Sequence, residues 1–176
     1  VLTMPKIRSK RTSTTEWETP QDFFETLDRE FHFTLDVCAT PENTKCQRFF
    51  TKKEDGLRRD WSEEIIWLNP PYDKDIVKWM AKAYLTTRKG GLVVALISGK
   101  STDTVMWHNC VMRSDEIRFV KNRLHFSSNG MSRRANLSSI VVIFRPFCEG
   151  PPRTCSISTS GQILDYKWER KSLWKT

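Results

Sequence analysis

An α/β fold built on a mostly parallel central sheet is predicted by three features of the chain. An apolar run, Ile65-Ile66-Trp67-Leu68, ends abruptly in Asn69-Pro70-Pro71-Tyr72. A helical pattern follows, with Ile76, Val77, Met80, Ala81, Tyr84 and Leu85 on one side, until Gly90-Gly91 stops it. Leu92-Val93-Val94-Ala95-Leu96-Ile97 comes next, a continuous apolar strand of the kind buried on both faces of a parallel sheet. This order puts the Asn-Pro-Pro-Tyr segment at the carboxyl end of a strand, where open α/β sheets bind their ligands.

From the amino end, residues 1–14 read as a flexible basic tail carrying Lys6, Arg8, Lys10 and Arg11. Thr19 is expected to cap a helix opened by Pro20, with Asp22 in its first turn and Phe23, Phe24 and Leu27 facing inward. Residues 33–37 read as the next strand, with Asp36 near its carboxyl end beside the small residues Cys38 and Ala39. Phe49-Phe50-Thr51 reads as a short strand and Asp55-Gly56 as a turn. Beyond the central unit, Thr102 is expected to cap a helix containing Val105, Met106 and Cys110.

Residues 116–120 and 139–144 read as two further strands. The connection between them, residues 121–138, is long, polar and glycine-containing, and it carries Lys121, Arg123, His125, Arg133 and Arg134. Gly150-Pro151-Pro152 breaks the chain after the last expected core strand. The extension that follows, within residues 149–176, holds Ile163, Leu164, Tyr166 and Trp168 to cover a sheet edge or to self-associate.

A chain of 176 residues suffices for one domain, expected over residues 15–176, and leaves little for a separate recognition domain. Its net charge of +8, with Lys167, Arg170, Lys171 and Lys175 crowding the carboxyl end, suits a polyanionic partner. Cysteines 38, 46, 110, 148 and 155 form no Cys-x-x-Cys pair, and with three histidines they make no zinc pattern, so the expected protein is reduced and metal-free. Neither a membrane-spanning apolar run nor a signal-peptide pattern is present, and a soluble cytoplasmic protein is expected.

The chemistry concentrates at Asn69-Pro70-Pro71-Tyr72. Pro70 lacks an amide hydrogen and Pro71 forces Pro70 out of the helical region, so the loop is extended and stiff. The side-chain oxygen of Asn69 and the main-chain carbonyl of Pro70 are two acceptors, and a planar exocyclic amine such as adenine N6 has two hydrogens to donate. Acceptors that draw those hydrogens out of the ring plane favour the pyramidal nitrogen reached during attack, so no strong base is required. Tyr72 would lie on the face of the base, as aromatic rings do on extruded nucleotides. His125 is not needed as a base, because the proton can leave after the amine has become cationic.

Several spaced segments carry a resemblance: Trp17-Glu18-Thr19-Pro20, Leu35-Asp36-Val37-Cys38-Ala39, Asn43, Cys46, residues 49–51, Asp55-Gly56-Leu57, Trp61, Trp67 to Tyr72, Trp79, Lys82-Ala83, and Thr102-Asp103-Thr104 with Trp107. Over residues 15–144 the chain resembles the compact phage-type DNA N6-adenine methyltransferases, within the class I S-adenosylmethionine-dependent enzymes. The resemblance implies a single Rossmann-like domain, its sheet mostly parallel with helices on both faces and an antiparallel strand at the edge. It also implies methyl transfer from S-adenosyl-L-methionine to adenine N6 in double-stranded DNA, by a monomer or weak homodimer, in the host-cell cytoplasm if phage-encoded.

Carried onto this chain, the resemblance gives catalytic roles to Asn69, Pro70, Pro71 and Tyr72, and cofactor roles to Trp17, Thr19, Pro20, Asp36, Cys38, Ala39 and Asp55. Within the 121–138 connection, Lys121, Arg123, Arg133 and Arg134 are the expected DNA contacts. Two departures stand out. Val37-Cys38-Ala39-Thr40 replaces the glycine-rich loop of the class, and Glu54 is the one acidic residue where a ribose-binding acid belongs. The same motif solves the planar-amine problem for RNA adenine and for a protein glutamine amide, and a noncatalytic nucleic-acid-binding protein that keeps the fold is the alternative of another class.

Overall fold

The computed structural model describes residues 18–100, 102–128, 131–147 and 149–164. Helix α1 (Gln21–Phe31) is followed by the two-residue strand β1 (Leu35–Asp36), β2 (Ile65–Leu68), α2 (Ile76–Thr87), β3 (Leu92–Ser98) and α3 (Val105–Asn109). Then come β4 (Glu116–Val120), β5 (His125–Ser128), β6 (Met131–Arg134), β7 (Ser139–Phe144) and β8 (Arg153–Ile157). Six strands make the main sheet in the order β1-β2-β3-β7-β4-β8, while β5 and β6 form a separate two-stranded hairpin.

The sheet is mixed and mostly parallel, with α1 on one face and α2 and α3 on the other. Residue alternation builds these layers, since successive strand side chains point to opposite faces. Ile66, Leu68, Val93, Ala95, Ile97, Ile140, Val142 and Phe144 join Met80, Ala83 and Met106 in one core. Trp67, Val94, Leu96, Val141 and Ile143 face Phe23, Phe24, Leu27 and Phe31 of α1 in the other. Trp67 meets Phe24 edge-on, with centroids 5.3 Å apart.

Four expectations are corrected. The antiparallel member is β7, and it lies inside the sheet, paired with β3 on one side and β4 on the other. The edge strand β8 runs parallel to β4 and comes from the carboxyl-terminal stretch, so the core does not end before Gly150. Pro20, not Thr19, occupies the N-cap of α1: its carbonyl accepts from Phe24 N–H while the Thr19 side chain turns inward. Thr104 rather than Thr102 caps α3, accepting from the Trp107 N–H at 3.3 Å, and Cys110 stands just past the helix end.

Helix α2 is also rotated from its expected face. Trp79, Met80, Ala83, Thr86 and Thr87 are buried, whereas Val77 and Leu85 face outward. The pull comes from Trp61, which is buried, stacks on Trp79 at 6.0 Å and donates its ring N–H to the Gly56 carbonyl at 2.9 Å. Lys82 of the same helix donates to the Leu57 carbonyl at 2.7 Å with its ammonium over the Trp61 ring. Gly56 permits this packing, since a Cβ there would meet the Val37 carbonyl oxygen at 2.2 Å.

The expected strand at residues 49–51 is reduced to one parallel bridge, Asp36 with Phe49. No helix among the described residues is long and apolar enough to cross a membrane, and Cys46, Cys110 and Cys155 are free thiols.

Candidate active site

The carboxyl ends of β1 and β2 open into a cleft of about 300 Å3. Thr19, Asp36, Cys38, Ala39, Asp55 and the whole Asn69-Pro70-Pro71-Tyr72 segment line it, so residues 50 positions apart in sequence converge on one cavity. Trp17 lies outside the described residues. Pro20 is absent from the lining and serves at the helix N-cap.

Asp36 is the best-buried acid in the cleft, at 3% exposure. Its two carboxylate oxygens accept from the Cys38 N–H at 3.2 Å and the Lys45 N–H at 3.1 Å. Burial pushes its pKa up to about 6 against the pull of those hydrogen bonds and of the Lys45 charge. The carboxylate thus shapes the 38–48 loop from within, in the place where a glycine-rich turn would otherwise provide backbone freedom. Asn43 completes the loop by accepting the Thr40 N–H at 2.7 Å.

Asp55 has a left-handed backbone, φ 53°, and pairs with Arg58 at 3.1 Å across a partly exposed surface. Glu54 turns away, its carboxylate held by the amide and hydroxyl of Thr51 at 2.9 and 2.8 Å, and it does not line the cleft.

At the centre, Asn69 is partly buried and its Nδ2 donates to the Thr19 Oγ1 at 3.3 Å. Tyr72 keeps 48% of its surface exposed and borders a second, smaller cavity of about 170 Å3. Across that cavity stand Ser98, Phe126, Arg134, Asn136 and Leu137. The two cavities therefore share Tyr72.

The β5–β6 hairpin reaches this place because β7 is antiparallel. The connection leaving the carboxyl end of β4 must return to the amino end of β7, which lies at the same edge of the sheet as Asn69. Arg134 borders the smaller cavity, and Arg133 lies beside it on β6. Lys121 and Arg123 sit at the foot of the hairpin and line neither cavity; one guanidinium nitrogen of Arg123 is buried with no hydrogen-bond partner.

Two contributors escaped the sequence reading. Lys45 gave no signal as an isolated lysine in a polar loop, yet its ammonium is buried and donates to Glu18 at 2.8 Å and Gln21 at 2.9 Å. Glu18 in turn pairs through both main-chain groups with Ser127 of the hairpin and accepts the Ser127 hydroxyl at 3.1 Å. The Lys45 ammonium, with Ser127 adding to it, holds the Glu18 carboxyl below the usual carboxylate range. Among the described residues, no group of three histidine, cysteine or acidic side chains is placed to hold a metal ion.

Residues 7–167 match the family described as DNA N-6-adenine-methyltransferase (Dam). A 60-residue stretch is 33% identical to the DNA N-6-adenine-methyltransferase of Escherichia phage T1, covering 33% of this chain and 25% of that protein. A 64-residue stretch is 34% identical to the putative methyltransferase YfdM of Escherichia coli K12, covering 32% of this chain and 70% of that one. The aligned part thus spans a quarter of the phage T1 protein's length.

Proposed function

Because the chain belongs to the DNA N-6-adenine-methyltransferase (Dam) family, we propose that it transfers a methyl group from S-adenosylmethionine to the N6 amine of an adenine extruded from double-stranded DNA. The observation that carries the reading is the pair of cavities that share Tyr72, the larger of them lined by the whole Asn69-Pro70-Pro71-Tyr72 segment. One is large enough for a cofactor and the other is small and reached from the basic hairpin.

The donors and acceptors of the larger cleft fit S-adenosylmethionine. Asp36 offers a buried carboxylate that an ammonium would compensate, and Cys38 and Ala39 leave its rim open to a close neighbour. The Asp55 carboxylate is the acceptor for an adenine amine, once released from its exposed partner Arg58. When bound, the cofactor supplies an electrophilic methyl group.

The chain's own residues then act on the acceptor. Asn69 Oδ1 and the Pro70 carbonyl take the two N6 hydrogens and turn the nitrogen lone pair out of conjugation. Pro71 keeps the Pro70 backbone extended, and Tyr72 stacks on the base. Phe126 and Leu137 give the far side of the smaller cavity an apolar surface against which an extruded base can pack. Arg134, with its neighbour Arg133, holds the phosphates beside the extruded nucleotide, and Lys121 and Arg123 add positive charge at the foot of the hairpin.

The test is direct. Purified protein is incubated with radiolabelled cofactor and mixed-sequence duplex DNA, and the DNA is digested to nucleosides. Label on N6-methyladenine is expected, and Asn69→Ala should abolish it while cofactor binding persists. Label appearing on RNA or on a protein amide, or bound cofactor with no transfer to any acceptor, would overturn the reading.

A further inference from the structure

We propose that Lys82 of α2 is a positioning residue for the cofactor, in that its ammonium fixes the Asp55-Gly56-Leu57 wall of the larger cleft from behind. This rests on the Asp55 carboxylate accepting the adenine amine of the cofactor, as proposed above. Asp55, Gly56 and Leu57 line the cleft, whereas Lys82 does not. Lys82 therefore acts through the backbone of that wall and not by touching the ligand.

The wall is a stretch that the chain would not hold unaided. Asp55 stands at φ 53°, a left-handed conformation that a residue bearing a side chain keeps only where its surroundings over-determine it. The tight helical turn Gly56–Arg58 follows, and a turn that short leaves carbonyls without partners of its own. Side chains packed on and against α2 take them up. The Gly56 carbonyl accepts the Trp61 ring N–H at 2.9 Å and the Leu57 carbonyl accepts from the Lys82 ammonium at 2.7 Å. The same ammonium also donates to the Arg59 carbonyl. It lies 4.7 Å from the centre of the Trp61 ring, and Trp61 in turn stacks on Trp79 of α2.

One cation thus ties two carbonyls of the turn to a helix that the core holds in place, through charge-assisted hydrogen bonds. Without it both carbonyls turn to water and Asp55 is free to relax. Its carboxylate would then follow Arg58, its exposed partner at 3.1 Å on the same turn, and meet the ligand less often in the right place.

The variants are Lys82→Met, which keeps the stem over Trp61 and removes the donors; Lys82→Arg, which restores a cation and donors; and Lys82→Gln, should methionine disturb folding. The first readout needs no ligand. In hydrogen exchange followed by NMR, the Arg58 and Arg59 amides, which donate to the Asp55 and Gly56 carbonyls, should exchange faster in Lys82→Met. The Trp61 ring N–H, identified by its loss in Trp61→Phe, should do the same, while the amides of β3 keep their native rates. Acceleration everywhere would make Lys82 a general prop of the fold and overturn the proposal, as would no acceleration at the turn.

The second readout is binding of S-adenosylhomocysteine by calorimetry. Lys82→Met should weaken it roughly 10-fold, and Lys82→Arg should recover most of that. In turnover the change should fall on the KM for S-adenosylmethionine more than on kcat. The deciding variant is Asp55→Asn, which suits the left-handed backbone but lacks the charge. If Lys82 acts through Asp55, adding Lys82→Met to Asp55→Asn should cost little more than Asp55→Asn alone. Losses that multiply in the double variant overturn the proposal, and so does native affinity in Lys82→Met. Binding that follows the expected pattern with no methyl transfer to DNA would place the fault in the proposed reaction and not in the wall. A native protein that binds no S-adenosylhomocysteine would refute the proposed reaction and the role of Lys82 with it.

Discussion

Replacing Asp36 with Asn should remove a pH dependence of stability that the native fold carries in the larger cleft. Burial raises the Asp36 pKa from 3.8 to about 6, and each pH unit between those values is worth ~1.4 kcal/mol. Ionised Asp36 therefore costs the empty fold about 3 kcal/mol at neutral pH relative to the unfolded chain. Because the folded-state pKa is raised, the native state holds this proton more tightly than the unfolded state does. The contribution is fully present below about pH 4 and is lost as pH rises through 6.

Urea unfolding of native protein and Asp36→Asn, without cofactor, measures it. Glu18 and Glu116 are shifted in the opposite sense and act at lower pH, but both proteins contain them, so they cancel in the difference. Between pH 4 and pH 7 that difference should move in favour of the variant by about 2 to 3 kcal/mol. The absolute offset is smaller, since asparagine keeps one good acceptor for the two N–H groups of Cys38 and Lys45. A difference that stays constant with pH, or that slopes the other way, refutes the argument. Binding of the ammonium-bearing cofactor should weaken in native protein below about pH 6, and Asp36→Asn should bind weakly at every pH.

Tyr72→Ala should reduce capture of an extruded base, read by a fluorescent adenine analogue at the target position, with a loss of about 1 to 3 kcal/mol in duplex binding; unchanged extrusion and turnover would remove its stacking role. Neutralising Arg133 and Arg134 together should weaken DNA binding and lower the slope of log affinity against log salt by about 2, checked by titration at several ionic strengths. Arg118→Ala should cost about 2 kcal/mol in urea unfolding, because it removes the buried guanidinium that holds Glu116 and Glu30 at 2.8 and 2.6 Å and leaves Glu116 to Arg145 and Arg153, at 3.3 and 3.8 Å; a loss under about 0.5 kcal/mol would show that the remaining arginines and water replace it fully.

Much of this architecture is legible in the sequence wherever one residue's chemistry decides the outcome. The runs at Ile65–Leu68, Leu92–Ser98 and Ser139–Phe144 are strands buried enough that apolar content alone marks them. Pro70 and Pro71 announce a rigid loop whatever surrounds them. The misreadings arise where two partners compete for one group. Thr19 has the composition of a helix cap, but its hydroxyl is claimed by Asn69, 50 residues away. The face of α2 follows Trp61, whose position under Trp79 no helical periodicity encodes. Thr102 and Thr104 are both competent caps, and only the helix start at Val105 distinguishes them.

Strand order was the least legible feature, yet it is what assembles the candidate site. Had β7 been an edge strand, the hairpin would have hung from the rim of the sheet. Seated between β3 and β4 and running against both, β7 forces the connection from β4 to turn back over the carboxyl edge. Phe126 and Arg134 are thereby delivered to the flank of Tyr72, and Ser127 to Glu18. The surface proposed to grip DNA and the Glu18-Thr19 segment that lines the larger cleft then share one hydrogen-bonded bridge. Displacing the hairpin, by exchanging Ser127 for proline to remove its N–H to the Glu18 carbonyl, should slow turnover on DNA even at saturating substrate. If kcat were unchanged and only KM rose, the hairpin would grip DNA without shaping the cleft, and the coupling through Glu18 would be wrong.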